Sequence, residues 1–188
     1  MISYVVDTNG TILVRTQADD VEWGISKLQE KVLGWFRGMV SHWGSLIDEA
    51  GSDYRLPSNY IVGVMWAESN GNPGLRSKVG AMGLMQVMPV HFSEAELPHA
   101  MEPRVNIRRG AALLASARAG FRDLVQVASA YNAGGPSGPA NGPWTNETWL
   151  ANNRNPALTS RWGYACEPGY IDRVVAASNT YLVGQTQS

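Results

Sequence analysis

The chain has 188 residues, 44% of them apolar, and a formal net charge of -1, which fits one domain with a substantial core and no footprint for nucleic acid. A single cysteine, Cys166, excludes an intrachain disulfide framework. No apolar run reaches the roughly 20 residues a membrane span needs, and the start from Met1 to Asp7 lacks the basic and apolar regions of a secretory signal, so neither is expected.

Ile2 to Val6 and Thr11 to Arg15 are rich in β-branched residues and flank Asp7-Thr8-Asn9-Gly10, a good hairpin signal. A lone hairpin is marginal by itself. Residues 1–20 are therefore set apart as an N-terminal extension of a domain over 21–188. The extension is either a terminal ornament packed on the domain or on another chain, or a docking element for a larger assembly. From Val21 to Met39 apolar residues recur at helical spacing (Ile25, Leu28, Val32, Trp35, Phe36, Met39), as in a core-facing helix; Glu22 and Glu30 dilute the basic face of a membrane reader. A second helix is expected from His42 to Ala50, stopping at Gly51, with Trp43, Leu46 and Ile47 inward.

Tyr60 to Ala67 is apolar almost all round, the pattern of a helix buried on most sides. Pro57 and Ser58 supply its start, with Ser as a cap, and Ser69-Asn70-Gly71-Asn72-Pro73-Gly74 stops it. Glu68 thus falls in the last turn of a greasy helix. Desolvation and the negative end of the helix dipole both disfavour its charged form, so a raised pKa and a general-acid role are expected. The plainer alternative is an exposed glutamate at a frayed helix end.

Gly80, Ala81 and Gly83 then allow tight turning and close approach of backbone to a ligand. Met82, Met85 and Met88 offer either soft surface for sugar faces or core filling. Residues 89–103 read as a breaker-rich excursion with one helical turn. His91 and His99 there have the wrong spacing for two ligands on one helix face and no cysteine partner, so no metal is expected. Helical period resumes from Arg104 to near Gly120; Arg104, Arg108 and Arg109 are read as a solvated face. A further helix runs from Phe121 to Tyr131. Residues 134–163 are rich in Gly, Pro and Asn yet carry Trp144, Trp149 and Trp162. A loop of this length is expected either to cover one end of a cleft or to bury its tryptophans beneath it. Residues 185–188 read as a frayed end.

Glu68-Ser69, Asn72-Pro73, the run Gly80 to Pro89, Asn106-Ile107 with Gly110, and Ala130-Tyr131-Asn132-Ala133-Gly134 occur together and in order. With Glu167-Pro168-Gly169-Tyr170 near the C-terminus, this series resembles the soluble lytic transglycosylase family over about Trp43 to Tyr181. The resemblance implies a mainly α, lysozyme-like domain, here with a short N-terminal β-hairpin and long cleft loops, acting on peptidoglycan glycan strands without a cofactor. It implies Glu68 as the catalytic residue and Ser77, Gln86, Met88, Ala130, Tyr131, Asn132 and Tyr170 along the substrate cleft. Tyr131 is expected to hydrogen-bond the catalytic carboxyl.

Ordinary glycosidases use two carboxylates. Asp123, Glu147, Glu167 and Asp172 are present, but no motif sets one of them opposite Glu68. One acid suffices if the C6 hydroxyl of N-acetylmuramic acid attacks its own anomeric carbon, leaving a 1,6-anhydromuramyl end. Two alternatives stand beside this reading: a hydrolytic muramidase of the same fold, and a non-catalytic glycan-binding or phage tail structural protein. The expected setting is the cell wall, reached as a virion-associated or phage lysis protein or through a secretion machine, with the hairpin as the contact for such a partner.

Overall fold

A computed structural model describes residues 2–6, 12–16, 38–39, 41–119, 124–132, 170 and 173–178. The expected turn at residues 7–10, most of the helix from Val21 to Met39, the 134–163 segment with its tryptophans, Glu167 to Gly169 and the 185–188 tail lie outside them. At the N-terminus β1 (Ile2–Val6) pairs antiparallel with β2 (Ile12–Thr16), with Ile2 opposite Thr16 and Val6 opposite Ile12.

The remaining described residues are mainly helical. Residues 41–54 form α1, Ser58–Ser69 α2, Pro103–Arg118 α3, Leu124–Asn132 α4 and residues 173–178 α5. α1 does not stop at Gly51. It runs on to Tyr54, where Arg55 turns left-handed at φ 54° and the Leu56 amide reaches back to the Gly51 carbonyl at 2.9 Å. That six-to-one bond is a Schellman ending. The bare Cα of Gly51 is needed for the returning chain, since a Cβ there would stand 2.9 Å from the Leu56 carbonyl oxygen.

α2 is the central element, with Tyr60, Ile61, Val62, Val64 and Met65 fully enclosed. Its start differs from expectation. Pro57, not Ser58, occupies the N-cap position, and no side chain caps the helix; the Pro57 carbonyl takes the Tyr60 amide at 3.0 Å. An apolar helix buried on all sides draws its stability from packing more than from a cap. Gly63 lets α5 approach closely, because a Cβ on it would lie 2.2 Å from Ser178 Oγ and 2.4 Å from the Val174 carbonyl oxygen. α3 buries Ile107, Gly110, Ala111, Leu114 and Ala117 and packs on α4, whose Leu124, Val127 and Ala128 join the same core.

The excursion after Pro89 holds two 3-10 turns rather than one helical turn, Pro89–His91 and Leu97–His99. Between them Ser93 and Glu96 form a capping box: the Ser93 amide donates to Glu96 Oε2 at 3.0 Å and the Glu96 amide to Ser93 Oγ at 3.3 Å, with the Ser93 hydroxyl adding a bond to Oε2 at 2.7 Å. Of the α3 arginines, Arg104 and Arg108 are exposed, as a solvated face would be, and Arg109 is half-buried; all three are paired. Arg104 pairs with Glu49 and Arg108 with Asp53, both on α1, while Arg109 pairs with Glu96.

Candidate active site

Four elements converge at the C-terminal end of α2. Glu68 sits in its last turn, half-buried, between buried Trp66 and buried Ser69. The helix ends where Asn70 turns left-handed (φ 50°) and its amide closes on the Trp66 carbonyl at 3.0 Å. Ser69 ties this end to the glycine segment, donating to the Leu84 carbonyl at 2.7 Å and accepting the Gly71 amide at 3.1 Å.

The glycine segment folds as a tight turn over residues 83–86, closed by reciprocal bonds between Met82 and Val87 at 3.0 Å. Gly83 (φ 73°) and Gln86 (φ 47°) are both left-handed. Asn106 of α3 clamps the turn from beneath with every side-chain group paired. Its Oδ1 accepts the Met85 amide at 2.7 Å, and its Nδ2 donates to the Met82 and Ala100 carbonyls at 2.8 Å each. Gly83 has no room for a side chain, since a Cβ would lie 2.6 Å from Asn106 Nδ2. Gly110 admits the Met85 side chain in the same way, with Met85 Cβ 2.6 Å from where its own Cβ would be.

Two tyrosines from distant stretches of the chain, Tyr131 and Tyr170, stand at Glu68, and Tyr60 of α2 lies near both. The Tyr170 hydroxyl donates to Glu68 Oε1 at 2.7 Å. The Tyr131 hydroxyl donates to the Met85 carbonyl at 2.7 Å, and that of Tyr60 to the Leu124 carbonyl at 2.9 Å. The expected bond from Tyr131 to the carboxyl is therefore corrected. A phenol has one proton to donate; that of Tyr131 goes to the turn, and Tyr170 is the residue that donates to Glu68. Burial, reinforced by the negative charge of Glu68, pushes both phenols well above the ordinary range; Tyr170 is raised further by its bond to Glu68. A neutral phenol orients a carboxyl while adding no charge. Arg173 lies over the Tyr170 ring, 5.9 Å from its centroid.

The other expected site residues divide. Gln86 is half-buried and directs both amide hydrogens to backbone, at 2.9 Å to the Gly83 carbonyl and 3.1 Å to that of Leu75, so its oxygen is the end that a ligand can use. Ser77 is half-buried; its Oγ accepts the Ala81 amide at 2.9 Å and keeps a proton to donate. Met88 is exposed whereas Met82 and Met85 are core, so the three methionines do not share a role. Ala130 is buried and Asn132 half-buried at the end of α4. The clamp by Asn106, the Ser69 tether and the inclusion of Tyr60 were not anticipated. Their signal in the sequence is a polar residue at a core-facing helical position, as Asn106 is beside Ile107 and Gly110.

The transglycosylase SLT domain family model matches residues 45–149. A transglycosylase of Enterobacteria phage PRD1 is 39% identical over 92 residues, covering 49% of this chain and 35% of its own. The soluble lytic murein transglycosylase of Escherichia coli is 28% identical over 145 residues, 69% of this chain and 21% of its own. Among solved structures, the 70 kDa soluble lytic transglycosylase of Escherichia coli shares 25% identity at a TM-score of 0.56, over 76% of this chain and 24% of that one. An inactive Glu-to-Gln mutant of the lytic transglycosylase Slt from Pseudomonas aeruginosa gives 25% and 0.59, over 79% and 24%. The chain thus spans about a third or less of the length of these relatives.

Proposed function

Because this chain belongs to the transglycosylase SLT domain family, we propose that it is a peptidoglycan lytic transglycosylase with Glu68 as its single acid and base. It cleaves the β-1,4 bond between N-acetylmuramic acid and N-acetylglucosamine. The observation that carries the reading is the 2.7 Å bond from Tyr170 to Glu68 Oε1 at the exit of a buried helix. A carboxyl gripped there by a neutral donor is oriented for proton transfer. The Pseudomonas aeruginosa relative, inactive as a Glu-to-Gln mutant, supports a glutamate at the centre of the chemistry.

In the first half of the reaction Glu68 gives its proton to the glycosidic oxygen, and the bond to the anomeric carbon breaks with an oxocarbenium-like transition state. In the second half the C6 hydroxyl of the same muramic acid attacks the anomeric carbon and returns a proton to Glu68. Proximity within one sugar replaces the second carboxylate. No water is consumed, and the product ends in a 1,6-anhydro ring. Ser77, Gln86 and Met88 form one side of the substrate cleft, and Ala130, Tyr131 and Asn132 the other. Residues 1–20 are an extension of the domain at 21–188, either a packed terminal ornament or a docking element for a virion or secretion partner. The protein acts on the cell wall.

Digestion of peptidoglycan followed by mass spectrometry tests this. Anhydro products, lighter by one water than the hydrolytic ones, are expected from the wild type and none from Glu68→Gln. Hydrolytic ends would favour a muramidase, and no cleavage by either protein a glycan-binding role.

A further inference from the structure

The segment from Leu75 to Gly80 carries a feature the catalytic account does not use. The α3 arginines are neutralised, Arg104 by Glu49, Arg108 by Asp53 and Arg109 by Glu96. Arg76 and Lys78 are exposed, and no carboxylate of the described residues pairs with either. Arg76 stands at the isolated bridge to Met82, and Lys78 opens the turn that the Gly80 amide closes on the Ser77 carbonyl, so both belong to one short arm. Val79 beside them is 78% exposed.

This arm is held firmly against the site. Ser77 and Ala81 close it, amide to carbonyl at 2.9 Å and Ala81 amide to Ser77 Oγ at 2.9 Å, and the Gly80 amide adds a bond to the Ser77 carbonyl at 3.1 Å. Its root, the Leu75 carbonyl, receives the Gly83 amide at 2.8 Å and Gln86 Nε2 at 3.1 Å. Arg76 bridges to Met82, and Met82 to Val87, so the cations ride on backbone paired with the turn that carries Gln86. A glycan strand is uncharged along its sugar backbone. Its muramic acids bear an acidic peptide on their lactyl group, and carboxylates are what a fixed pair of cations recognises.

We propose that Arg76 and Lys78 form a carboxylate-binding arm that selects glycan strands still carrying their acidic peptides. The inference rests on the peptidoglycan reading of the site and adds the part of the substrate that sets preference. The arm lies at the surface, so its attraction is screened by salt.

The test compares glycan strands with intact peptides against the same strands stripped by an amidase, using wild type and an Arg76→Gln, Lys78→Gln double variant. For the wild type, KM on peptide-bearing strands is expected to be lower by about fivefold, the size two exposed ion pairs supply. That advantage shrinks with added salt. In the double variant it disappears while kcat is unchanged, and KM on stripped strands stays at the wild-type value. A variant that keeps the preference, or loses affinity equally for both strands, overturns the proposal. Binding of both strands to Glu68→Gln, with and without the arm substitutions, reads the same preference without turnover. Loss of the catalytic reading and loss of the arm are thereby told apart.

Discussion

At the scale of single residues, Glu68 and Tyr170 act as a pair. Removing the phenol in Tyr170→Phe deletes a hydrogen bond to a carboxyl oxygen, which is worth about 1.5–3 kcal/mol when the partner is charged. The expected result is a fall in kcat of about tenfold to a hundredfold with KM little changed, read by steady-state kinetics. Tyr131→Phe is expected to lower kcat less, because its hydroxyl serves the Met85 carbonyl and the Glu68 donor stays in place. The same phenols set an alkaline limit. Their folded pKa values are raised above the ordinary 10.0, so their contribution to stability is complete below that pH and is lost as pH climbs toward the folded values. Alkaline unfolding followed by circular dichroism should show a shallower decline for Tyr170→Phe than for the wild type. Which tyrosine holds the carboxyl could not be read from the chain. Tyr131 lies near the end of α4 and Tyr170 far from it in sequence, and only the crossing of distant elements decides which hydroxyl reaches Oε1.

At the scale of elements, the tight turn over residues 83–86 stands on Asn106. In Asn106→Ala, the buried Met85 amide and the Ala100 carbonyl lose their partner, while the Met82 carbonyl keeps the Val87 amide. Each orphaned buried group costs about 1–3 kcal/mol, so a marked drop in the urea midpoint is expected. Gly83→Ala should destabilise as well, through its left-handed φ of 73° and the clash with Asn106. The excursion carries its own pH signature. Ser93 hydroxyl and amide bonds, helped by Arg109, hold Glu96 at a pKa of about 2, below the ordinary 4.5. Its contribution is present above the ordinary value and disappears as pH falls toward 2. Glu96 is partly exposed, so the effect is local and small. Hydrogen exchange at Ser93 and Glu96 is expected to stay slow through the usual carboxylate range and to quicken only near the lower value. The Ser93-to-Glu96 spacing of this box was in the sequence. No long apolar helix follows it to mark a helix start. Gly51 misled for a related reason: a glycine that stops a helix and one that admits a returning chain look alike until Leu56 folds back.

At the scale of the whole molecule, the helices of the core were legible from the sequence. The unbroken apolar run before Glu68 admits only a central helix, and the small residues of α3 mark a close crossing. Pairings between elements were not, since hydrogen bonds such as Ser69 to Leu84 or Arg104 to Glu49 join residues remote in sequence through geometry alone. Among the described residues the site gathers one carboxyl, the phenols of Tyr131 and Tyr170 and a backbone turn, and in the proposed mechanism the attacking group is borne by the sugar. The most direct measurement is therefore peptidoglycan cleavage in water enriched in heavy oxygen, with mass spectrometry of the released muramyl ends. Anhydro ends carrying no heavy oxygen are expected, because the closing oxygen comes from the substrate. Heavy oxygen at the new reducing ends would contradict the account and require a water held by a second base.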